Sequence, residues 1–368
     1  MTPLEAAFAA IDSQFADTID ETALITRAKI RGLMAGYAER WKDNEWQTVE
    51  VEKEFLLPII NPETESQSRT FRMAGKKDTV LEWPASGKRM MLEHKTTSED
   101  ISDPNAPYWR RLAIDSQVSH YMLAEWQSGN KLDGTLYDVI RKPAIRPKKI
   151  SKAEQAVLAS WGKYCERDVP DDCRMLDAEN ATLYEVRLTA ETIQNPDHYY
   201  GRRTINRMDH ELVEYASELW SISQDMLTAR NKGHHYRNDQ ACMVYGSPCE
   251  YLGICSGHDS FESDKWRQSD AVHAELAEAG DGFDVLTNSR IKCFKTCRRK
   301  HYFRYELGMK RVDEEERDAL FFGTVFHEGL AAYWSCFMKG SQHGSGNATS
   351  EVAETGHDRL VGTGQVVG

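Results

Sequence analysis

The hydrophobic pattern predicts helices at the start of the chain, followed by strands. Residues 4–42 place apolar side chains three and four positions apart, which is the spacing of amphipathic helices. Residues 48–60 alternate as a strand does, and residues 69–83 and 89–97 are two further candidate strands around the turn sequence PASGK. Gly75, inside the second strand, predicts a bend or the close approach of another group.

After these strands the chain returns to helical spacing. Residues 107–128 predict one helix, and residues 134–142 predict a fourth strand. Residues 143–175 are basic, contain proline and follow no regular pattern, whereas residues 205–230 predict a long helix. Another helical region begins behind candidate capping residues at 287–289. Together these elements predict an α/β fold in which helices flank a mixed β-sheet.

Composition indicates a soluble protein. The chain has 368 residues, 40% of them hydrophobic, and a mean hydropathy of −0.62. No apolar run approaches the roughly 18 residues of a membrane helix, and the N-terminal sequence has no signal-peptide pattern. We therefore expect a cytoplasmic protein with no membrane partner, whose eight cysteines are free thiols or metal ligands. The net charge of −12 argues against non-specific coating of nucleic acid but permits a local basic groove.

Candidate chemistry begins in the stretch MMLEHKTTSED, residues 90–100. Glu93 and Lys95 project from one strand face, because side chains alternate along a strand. Asp78, fifteen residues earlier, would lie beside Glu93 if the two strands pair antiparallel. Two adjacent carboxylates repel unless a divalent cation holds them together, and Mg²⁺ or Mn²⁺ there would support hydrolysis of a phosphodiester. The alternative is an exposed strand with solvated charges, since E-x-K triplets are common.

These residues resemble the core motif of the PD-(D/E)XK nuclease superfamily. Asp78 and LEHKTTS match its D…E-x-K pattern, and Gln117 and Tyr121 in DSQVSHYMLA reproduce the Q-x-x-x-Y motif of the RecB-like exonucleases. Those enzymes include CRISPR-associated iron–sulfur exonucleases and phage relatives. The resemblance implies a restriction-endonuclease-like fold.

The resemblance also implies roles for these residues. Asp78 and Glu93 would bind Mg²⁺ or Mn²⁺, with the backbone carbonyl of His94 as a further ligand, and Lys95 would assist the attacking water. Gln117 and Tyr121 would contact the substrate backbone and orient the site.

The activity implied by the resemblance is that of a metal-dependent DNA exonuclease. Single-stranded DNA would be the favoured substrate, in recombination, repair or phage DNA processing, and the protein would be prokaryotic or phage-encoded. Arg141 and Lys142, in YDVIRKPAIRPKK, would contact DNA phosphates together with Tyr121. Further basic residues follow at Arg146, Lys148 and Lys149. The alternative to DNA binding is that these residues form an ordinary solvated basic surface.

Two motifs that open the family's sequences occur here near the other end of the chain. CRRKHYFRYELG and FFGTVFHEGLAAYW fit a C-P-R-K-like motif and a G-x-x-x-H motif. Gly323 and His327 would share a helix face, where glycine permits close packing, and the resemblance makes His327 a metal ligand beside Asp78 and Glu93. Three explanations of the order remain open: a circular permutant, a frame read from a circular or concatenated sequence, and a fragment of a tandem protein.

Three cysteines follow one another in a segment rich in glycine and proline. They are Cys242, Cys249 and Cys255, spaced C-x6-C-x5-C. A zinc ion or a cuboidal iron–sulfur cluster needs a fourth thiolate. In iron–sulfur RecB-like nucleases the fourth comes from the opening motif, and Cys297 matches that position, although Arg298 replaces the family's proline. The resemblance therefore implies a [4Fe-4S] cluster, with Zn²⁺ as the alternative and Cys293 as a substitute ligand.

We predict four segments. Residues 1–265 form the nuclease core with the cysteine cluster, 266–283 a linker, 284–340 the helical part of the same nuclease domain, and 341–368 a disordered tail. The competing hypothesis is a catalytically inactive protein that binds DNA or a protein partner and keeps a zinc or iron–sulfur staple of four cysteines.

Overall fold

A computed structural model describes most of the chain. The described residues are 1–244, 246–269, 276, 282–312 and 318–338. The predicted disordered tail and most of the predicted linker lie outside these ranges.

The helices of the described residues fall into an N-terminal pair, a central group and a C-terminal group. In chain order they are α1 (Pro3–Ser13), α2 (Glu21–Arg40), α3 (Pro107–Leu112), α4 (Ser116–Gln127), α5 (Lys152–Trp161), α6 (Ala181–Gln194), α7 (Pro196–Tyr199), α8 (Asp209–Lys232), α9 (Leu252–Ser256), α10 (Asn288–Thr296), α11 (Arg298–His301) and α12 (Asp318–Ser335). A π-helical turn, Tyr302–Glu306, follows α11, and 3₁₀ turns span Asp171–Cys173 and Asp239–Ala241. None of the described helices combines the length and apolar character that crossing a membrane requires.

Within the described ranges, the strands form one central sheet and three small two-stranded sheets. They are β1 (Gln47–Ile60), β2 (Gln67–Trp83), β3 (Lys88–Thr97), β4 (Gly134–Arg141), β5 (Lys163–Tyr164), β6 (Arg167–Asp168), β7 (Tyr200–Ile205), β8 (Met243–Val244), β9 (Ser247–Pro248), β10 (Trp266–Gln268), β11 (Asp284–Leu286) and β12 (Met309–Arg311). The central sheet has the order β1-β2-β3-β4-β7, and β11 also pairs with β2.

The central sheet is mostly antiparallel, with β3–β4 and β2–β11 as its parallel pairs. Strand β2 has 17 residues, so two strands share one of its edges. Thr79–Trp83 pair with β3, and Phe71–Met73 pair with β11. This mixed α/β architecture confirms the predicted fold class and is compatible with a restriction-endonuclease-like fold.

Helices cover both faces of the sheet. Successive strand residues point to opposite faces, so Leu92 packs with α1, α2 and α12, whereas its neighbour Met91 packs with α3, α4 and α8. Each face is therefore buried, which explains the unbroken apolar run at residues 90–92 of β3.

Helix α12, from the C-terminal part of the chain, packs against α1 and α2 from the N-terminal part. Phe326, Leu330 and Trp334 are fully or almost fully buried in the core that these three helices form with the sheet. A Cβ atom on Gly329 would lie 2.9 Å from Cδ1 of Ile11, so the helices meet closely at this glycine. At Gly323, by contrast, a Cβ would meet its nearest neighbour at 3.4 Å, an ordinary contact. The close packing predicted at Gly323 therefore occurs at Gly329.

Several predicted boundaries were wrong. The single helix predicted over 107–128 is two helices, because the side chain of Asp115 accepts a hydrogen bond from the backbone N–H of Gln117 and caps a new helix there. The helix predicted over 205–230 begins at Asp209, because Ile205 is the last residue of β7 and residues 206–208 connect the strand to the helix.

The segments predicted to be irregular also contain regular structure. Residues 143–175 include α5, which begins with a capping box between Ser151 and Glu154. The predicted linker starts with β10, which pairs with β12 through backbone hydrogen bonds. Short strands such as these have too few residues to show a periodic pattern in the sequence.

We expect Phe326→Ala to lower the free energy of unfolding by about 3–5 kcal/mol, because it opens a cavity in a well-packed core. Phe337, two residues beyond the end of α12 and 40% exposed, provides the matched control, and Phe337→Ala should cost less than about 1 kcal/mol. Urea unfolding followed by circular dichroism measures both. Equal losses for the two variants would contradict the docking of α12.

Candidate active site

The candidate site lies where β2 and β3 separate. Thr79 pairs with Leu92 as the last pair of the β2–β3 ladder, so Asp78 and Glu93 are the next residues on their strands. Beyond this point the backbone N–H of His94 donates to the side-chain Oδ2 of Asp78 at 2.8 Å, in place of a backbone partner on β2. The structure thus places Asp78 beside Glu93, as the spacing of the sequence predicts.

Glu93, Lys95 and Gln117 form a closed set of hydrogen bonds. Nζ of Lys95 lies 2.5 Å from Oε1 of Glu93 and donates to Oε1 of Gln117 at 3.0 Å, and Nε2 of Gln117 donates to Oε1 of Glu93 at 2.8 Å. One carboxylate oxygen of Glu93 therefore receives two donors. The other, Oε2, is buried and has no hydrogen-bond partner among the described residues. A buried oxygen of this kind is costly unless another group satisfies it.

Tyr121 supports Gln117 from the next turn of α4. Nε2 of Gln117 donates to its hydroxyl at 3.2 Å, as the Q-x-x-x-Y spacing predicts. The tyrosine ring is buried against Gly75, where a Cβ atom would lie 2.8 Å from Cε1 of Tyr121. The predicted close approach at Gly75 is therefore that of Tyr121. Since the ring is 8% exposed, the structure places Tyr121 behind Gln117 and not on an open surface.

Asp115 holds the start of α4, and the sequence analysis missed this role. Its Oδ1 accepts from the backbone N–H of Gln117 at 3.0 Å and from Nζ of Lys292 at 2.8 Å, and its Oδ2 accepts from the hydroxyl of Tyr137 at 2.8 Å. The signal was present, since aspartate before a helical segment is a typical N-cap. Its partners on β4 and α10 come from distant parts of the chain and were not visible in the sequence.

Helix α12 brings His327 to the same place. Nδ1 of His327 lies 3.9 Å from Oδ2 of Asp78, and its side chain is half-buried. Burial, together with nearby His94 and Lys95, lowers the pKa of His327 to about 3. The imidazole is therefore neutral at neutral pH, and the neutral ring is the form that binds a metal ion.

The electrostatics of the two carboxyl groups favour a cation. Burial and the neighbouring Asp78 carboxylate raise the pKa of Glu93 from 4.5 to about 7, although Lys95 opposes the shift. Burial likewise raises the pKa of Asp78. For Lys95, burial alone would lower the pKa, but the two carboxylates outweigh it and raise the pKa. Two carboxylates with one ammonium leave the site short of positive charge, which a divalent ion would supply.

A buried network lies on the opposite face of β3. Nδ1 of His94 is 3.1 Å from Oδ2 of Asp138, and Nε of Arg202 donates to Oδ1 of Asp138 at 3.1 Å. The hydroxyl of Tyr37 donates to Oδ2 of Asp138 at 2.5 Å and accepts from Nε1 of Trp334 at 3.1 Å. The network joins strands β3, β4 and β7 to helices α2 and α12. The predicted backbone-carbonyl role of His94 stays a prediction, and its side chain points into this network.

Asp138 is the central residue of the network that the sequence analysis missed. Burial alone would raise the pKa of Asp138, but Arg202 and His94 hold it well below its usual range. The available signal was an aspartate in the middle of the buried strand YDVI, since unpaired aspartates are very rarely buried. Its partners could not be identified from the sequence, because Tyr37 and Arg202 lie far from it along the chain.

A second buried ion pair lies next to Asp78. Lys77 is 2% exposed, and its Nζ lies 2.7 Å from Oε2 of Glu50 and contacts Oε1 of Glu125. Glu125 belongs to α4, the helix that positions Gln117. This contact therefore fixes strand β2 against α4 close to the site, and breaking it would leave a buried charge unpaired.

The basic residues predicted to contact DNA differ in their surroundings. Arg141 is 22% exposed and pairs with Asp100 at 3.0 Å, and Lys142 is half-buried beside the ring of Phe322. Arg146 and Lys149, farther along the segment, are exposed. Arg141 and Lys142, nearest the sheet, thus make contacts within the protein. The exposed positive charge lies farther along the segment, at Arg146 and Lys149.

The four predicted cysteine ligands line one cavity. They are Cys242, Cys249, Cys255 and Cys297. Cys293, the predicted substitute, is not among the described residues that line it. The cavity measures about 20 Å³, which holds roughly one water-sized sphere. In the part of the chain that the structure describes, no three His, Cys, Asp or Glu side chains are arranged to hold a metal ion as they stand.

One comparison identifies a related family. Residues 285–361 match the family model of the PD-(D/E)XK nuclease superfamily. The match includes Cys297 and His327 and extends into the predicted tail. This partial match suggests a nuclease, and nucleases of that superfamily generally use Mg²⁺ or Mn²⁺. No curated protein and no solved structure matches the chain.

We expect the metal-free protein to lose stability as the pH rises from about 4.5 to about 7. The folded state raises the pKa of Glu93 and so binds more protons in this interval than the unfolded state. The contribution of protonated Glu93 to the free energy of unfolding is therefore complete at low pH, and it is lost as the pH rises past about 7. Glu93→Gln should remove this part of the slope. Urea unfolding in EDTA across the interval measures it, and equal slopes for the two proteins would refute the expectation.

Proposed function

We propose that this protein is a metal-dependent DNA exonuclease that hydrolyses phosphodiester bonds, with single-stranded DNA as its favoured substrate. One observation carries the proposal. Asp78 and Glu93 from the sheet, with Lys95, meet Gln117 of α4 and His327 of α12 at the point where two strands separate. Solvated surface charges would not be expected to converge from three separate elements on a buried carboxylate.

The residue types at the site suit a divalent cation, and small side-chain movements would bring them into a ligand arrangement that the described residues do not form as they stand. Asp78, Glu93 and His327 would hold Mg²⁺ or Mn²⁺, and the buried Oε2 of Glu93, with no partner among the described residues, would gain one. When bound, such an ion polarises a phosphoryl oxygen and lowers the pKa of a bound water. The neutral imidazole of His327 and the two carboxyl groups are suitable nitrogen and oxygen ligands.

The chain's own residues would complete the chemistry. Lys95 is held by Glu93 and Gln117, so its ammonium group is fixed where negative charge develops on the phosphate during attack. Gln117 is fixed in turn by Tyr121 and by the capped start of α4. Its amide is therefore placed to orient the substrate backbone. The exonuclease mode and the preference for single strands rest on the resemblance to the RecB-like enzymes.

We also infer that residues 284–338 and the N-terminal part of the chain act as one nuclease domain, in circularly permuted order. The burial of α12 against α1 and α2 supports this inference, as does the short distance between His327 and Asp78. Of the three explanations of the motif order, a functional permutation requires the fewest additional assumptions. It also explains why the matched family segment covers only the C-terminal motifs.

We expect the protein to degrade end-labelled single-stranded DNA with Mg²⁺ or Mn²⁺. Lys95→Ala should lower the rate at least about a hundredfold, because it removes a charge aimed at the transition state. His327→Ala should also fail to cut, and excess Mn²⁺ should partly restore its activity. His210→Ala, an exposed histidine of α8, is the control and should retain full activity.

The outcomes separate the hypotheses. Loss of cutting in both site variants, with His210→Ala active, means that the site is assembled from both ends of the chain. A folded wild-type protein that binds DNA and cuts with neither metal would refute the nuclease proposal. That result would favour the inactive DNA-binding alternative.

We further propose that the four cysteines bind metal together, as a [4Fe-4S] cluster or as a zinc ion. Their convergence on one cavity supports this proposal. We expect the purified protein to contain stoichiometric iron or zinc, measured by elemental analysis. A brown protein absorbing near ~400 nm indicates the cluster, and a colourless one with a single zinc indicates Zn²⁺. Cys297→Ser should lose the metal and Cys293→Ser should keep it; equal retention by both variants would contradict the assignment.

A further inference from the structure

A cationic cavity of about 430 Å³ lies between the C-terminal end of α8 and the start of α11. The polar side chains that give it its character are Lys232, His234, His235, Tyr236, Arg298 and Arg299. No aspartate or glutamate is among the described residues that line it. On a chain of net charge −12, such a concentration of positive charge without carboxylates indicates an anionic ligand.

The two arginines are held in place by the surrounding structure. The backbone N–H of Arg299 donates to the carbonyl of Tyr236 at 3.2 Å, and its Nε donates to the carbonyl of His235 at 2.5 Å. Arg298 pairs with Asp225 at 2.7 Å, outside the cavity lining, and its guanidinium lies 4.8 Å from the centre of the Tyr236 ring. Fixed guanidinium groups suit phosphate, which they bind with little further loss of side-chain entropy.

Aromatic rings lie beside these charges. His235 stacks on Tyr302 with ring centroids 4.1 Å apart, and Tyr236 is 58% exposed although it contacts Arg298. An exposed ring next to phosphate-binding cations is typical of sites that take a base together with its phosphate.

Residues next along the chain to those that line the cavity line the cysteine site. Asn238 donates from its backbone to Sγ of Cys297 at 3.5 Å, and Nη1 of Arg237 donates to the carbonyl of Cys255 at 2.8 Å. The segment that supplies His234, His235 and Tyr236 is therefore anchored to the cysteines at its far end. The cavity thus has a fixed shape on two sides.

We propose that this cavity binds a nucleotide phosphate, with its base against Tyr236. The volume suits a ligand of nucleotide size, and the cations suit its phosphate. The nucleotide has two possible sources: a unit of a bound DNA strand or a free nucleotide. The first source rests on the proposed nuclease function, because the cavity would then hold the strand that the active site cuts; the second does not.

Binding is tested in the cutting-deficient Lys95→Ala background, so that the result does not depend on catalysis. The probes are a short fluorescent oligo(dT), followed by anisotropy, and dTMP, followed by calorimetry. Lys232 makes no ion pair within the described part of the chain, and Lys232→Glu should raise the Kd about tenfold and reduce the salt slope for DNA by about one. Lys232→Arg should bind as the parent does.

Lys88→Glu is the matched control, because this lysine is exposed at the start of β3. It should change the Kd less than about twofold. A selective loss of oligo(dT) binding in Lys232→Glu supports the strand as the source, and a selective loss of dTMP binding supports a free nucleotide. If Lys232→Glu and Lys88→Glu are indistinguishable with both probes, the proposal is overturned. If the wild-type protein cuts DNA normally but the two variants bind both probes equally well, the cavity proposal fails and the nuclease proposal stands.

Discussion

The candidate site depends on the burial of one face of α12 against α1 and α2. Phe326 and Leu330 are completely buried there, and each such side chain contributes roughly 1.5–3 kcal/mol through its removal from water. His327 follows Phe326 directly, so the packing of the phenylalanine fixes where the imidazole lies. The hydrophobic packing of these helices therefore determines the geometry of the site, although the site itself contains few apolar groups.

Buried charge is the second constraint. Asp138, Lys77 and Glu93 lie in the core of the protein, where an unpaired charge costs several kcal/mol. Asp138 and Lys77 are each neutralised by partners from other elements, and those partners hold strands β2, β3 and β4 in register with helices on both faces. Glu93 differs, because one of its oxygens has no partner among the described residues. Both carboxylate oxygens of Asp138 accept hydrogen bonds, whereas Glu93 at the candidate site, like Glu125 beside Lys77, has one oxygen without a partner among the described residues.

The cysteine segment and the cationic cavity extend this arrangement away from the sheet. Cys297 ends α10, which begins near Ser116 of α4 through the contact with Asn288. Helix α10 therefore links the start of the Gln117 helix to the cysteines and to the arginines that follow them. A metal at the cysteines would stiffen this link, since a ligand that binds only the folded state stabilises it.

The sequence by itself determined the strands around Asp78 and Glu93, the pairing that places them side by side, and the Gln117–Tyr121 contact. These depend on short-range rules: alternation along a strand, a tight turn, and the spacing of a helix. It also indicated four cysteines that share a cavity and a histidine suited to the site. Only the tertiary structure decided that His327 reaches Asp78, that Asp138 and Asp115 support the site, and that a cationic cavity lies between α8 and α11. Such contacts join residues far apart in the chain, and their geometry follows from the packing of whole helices, which no local pattern encodes.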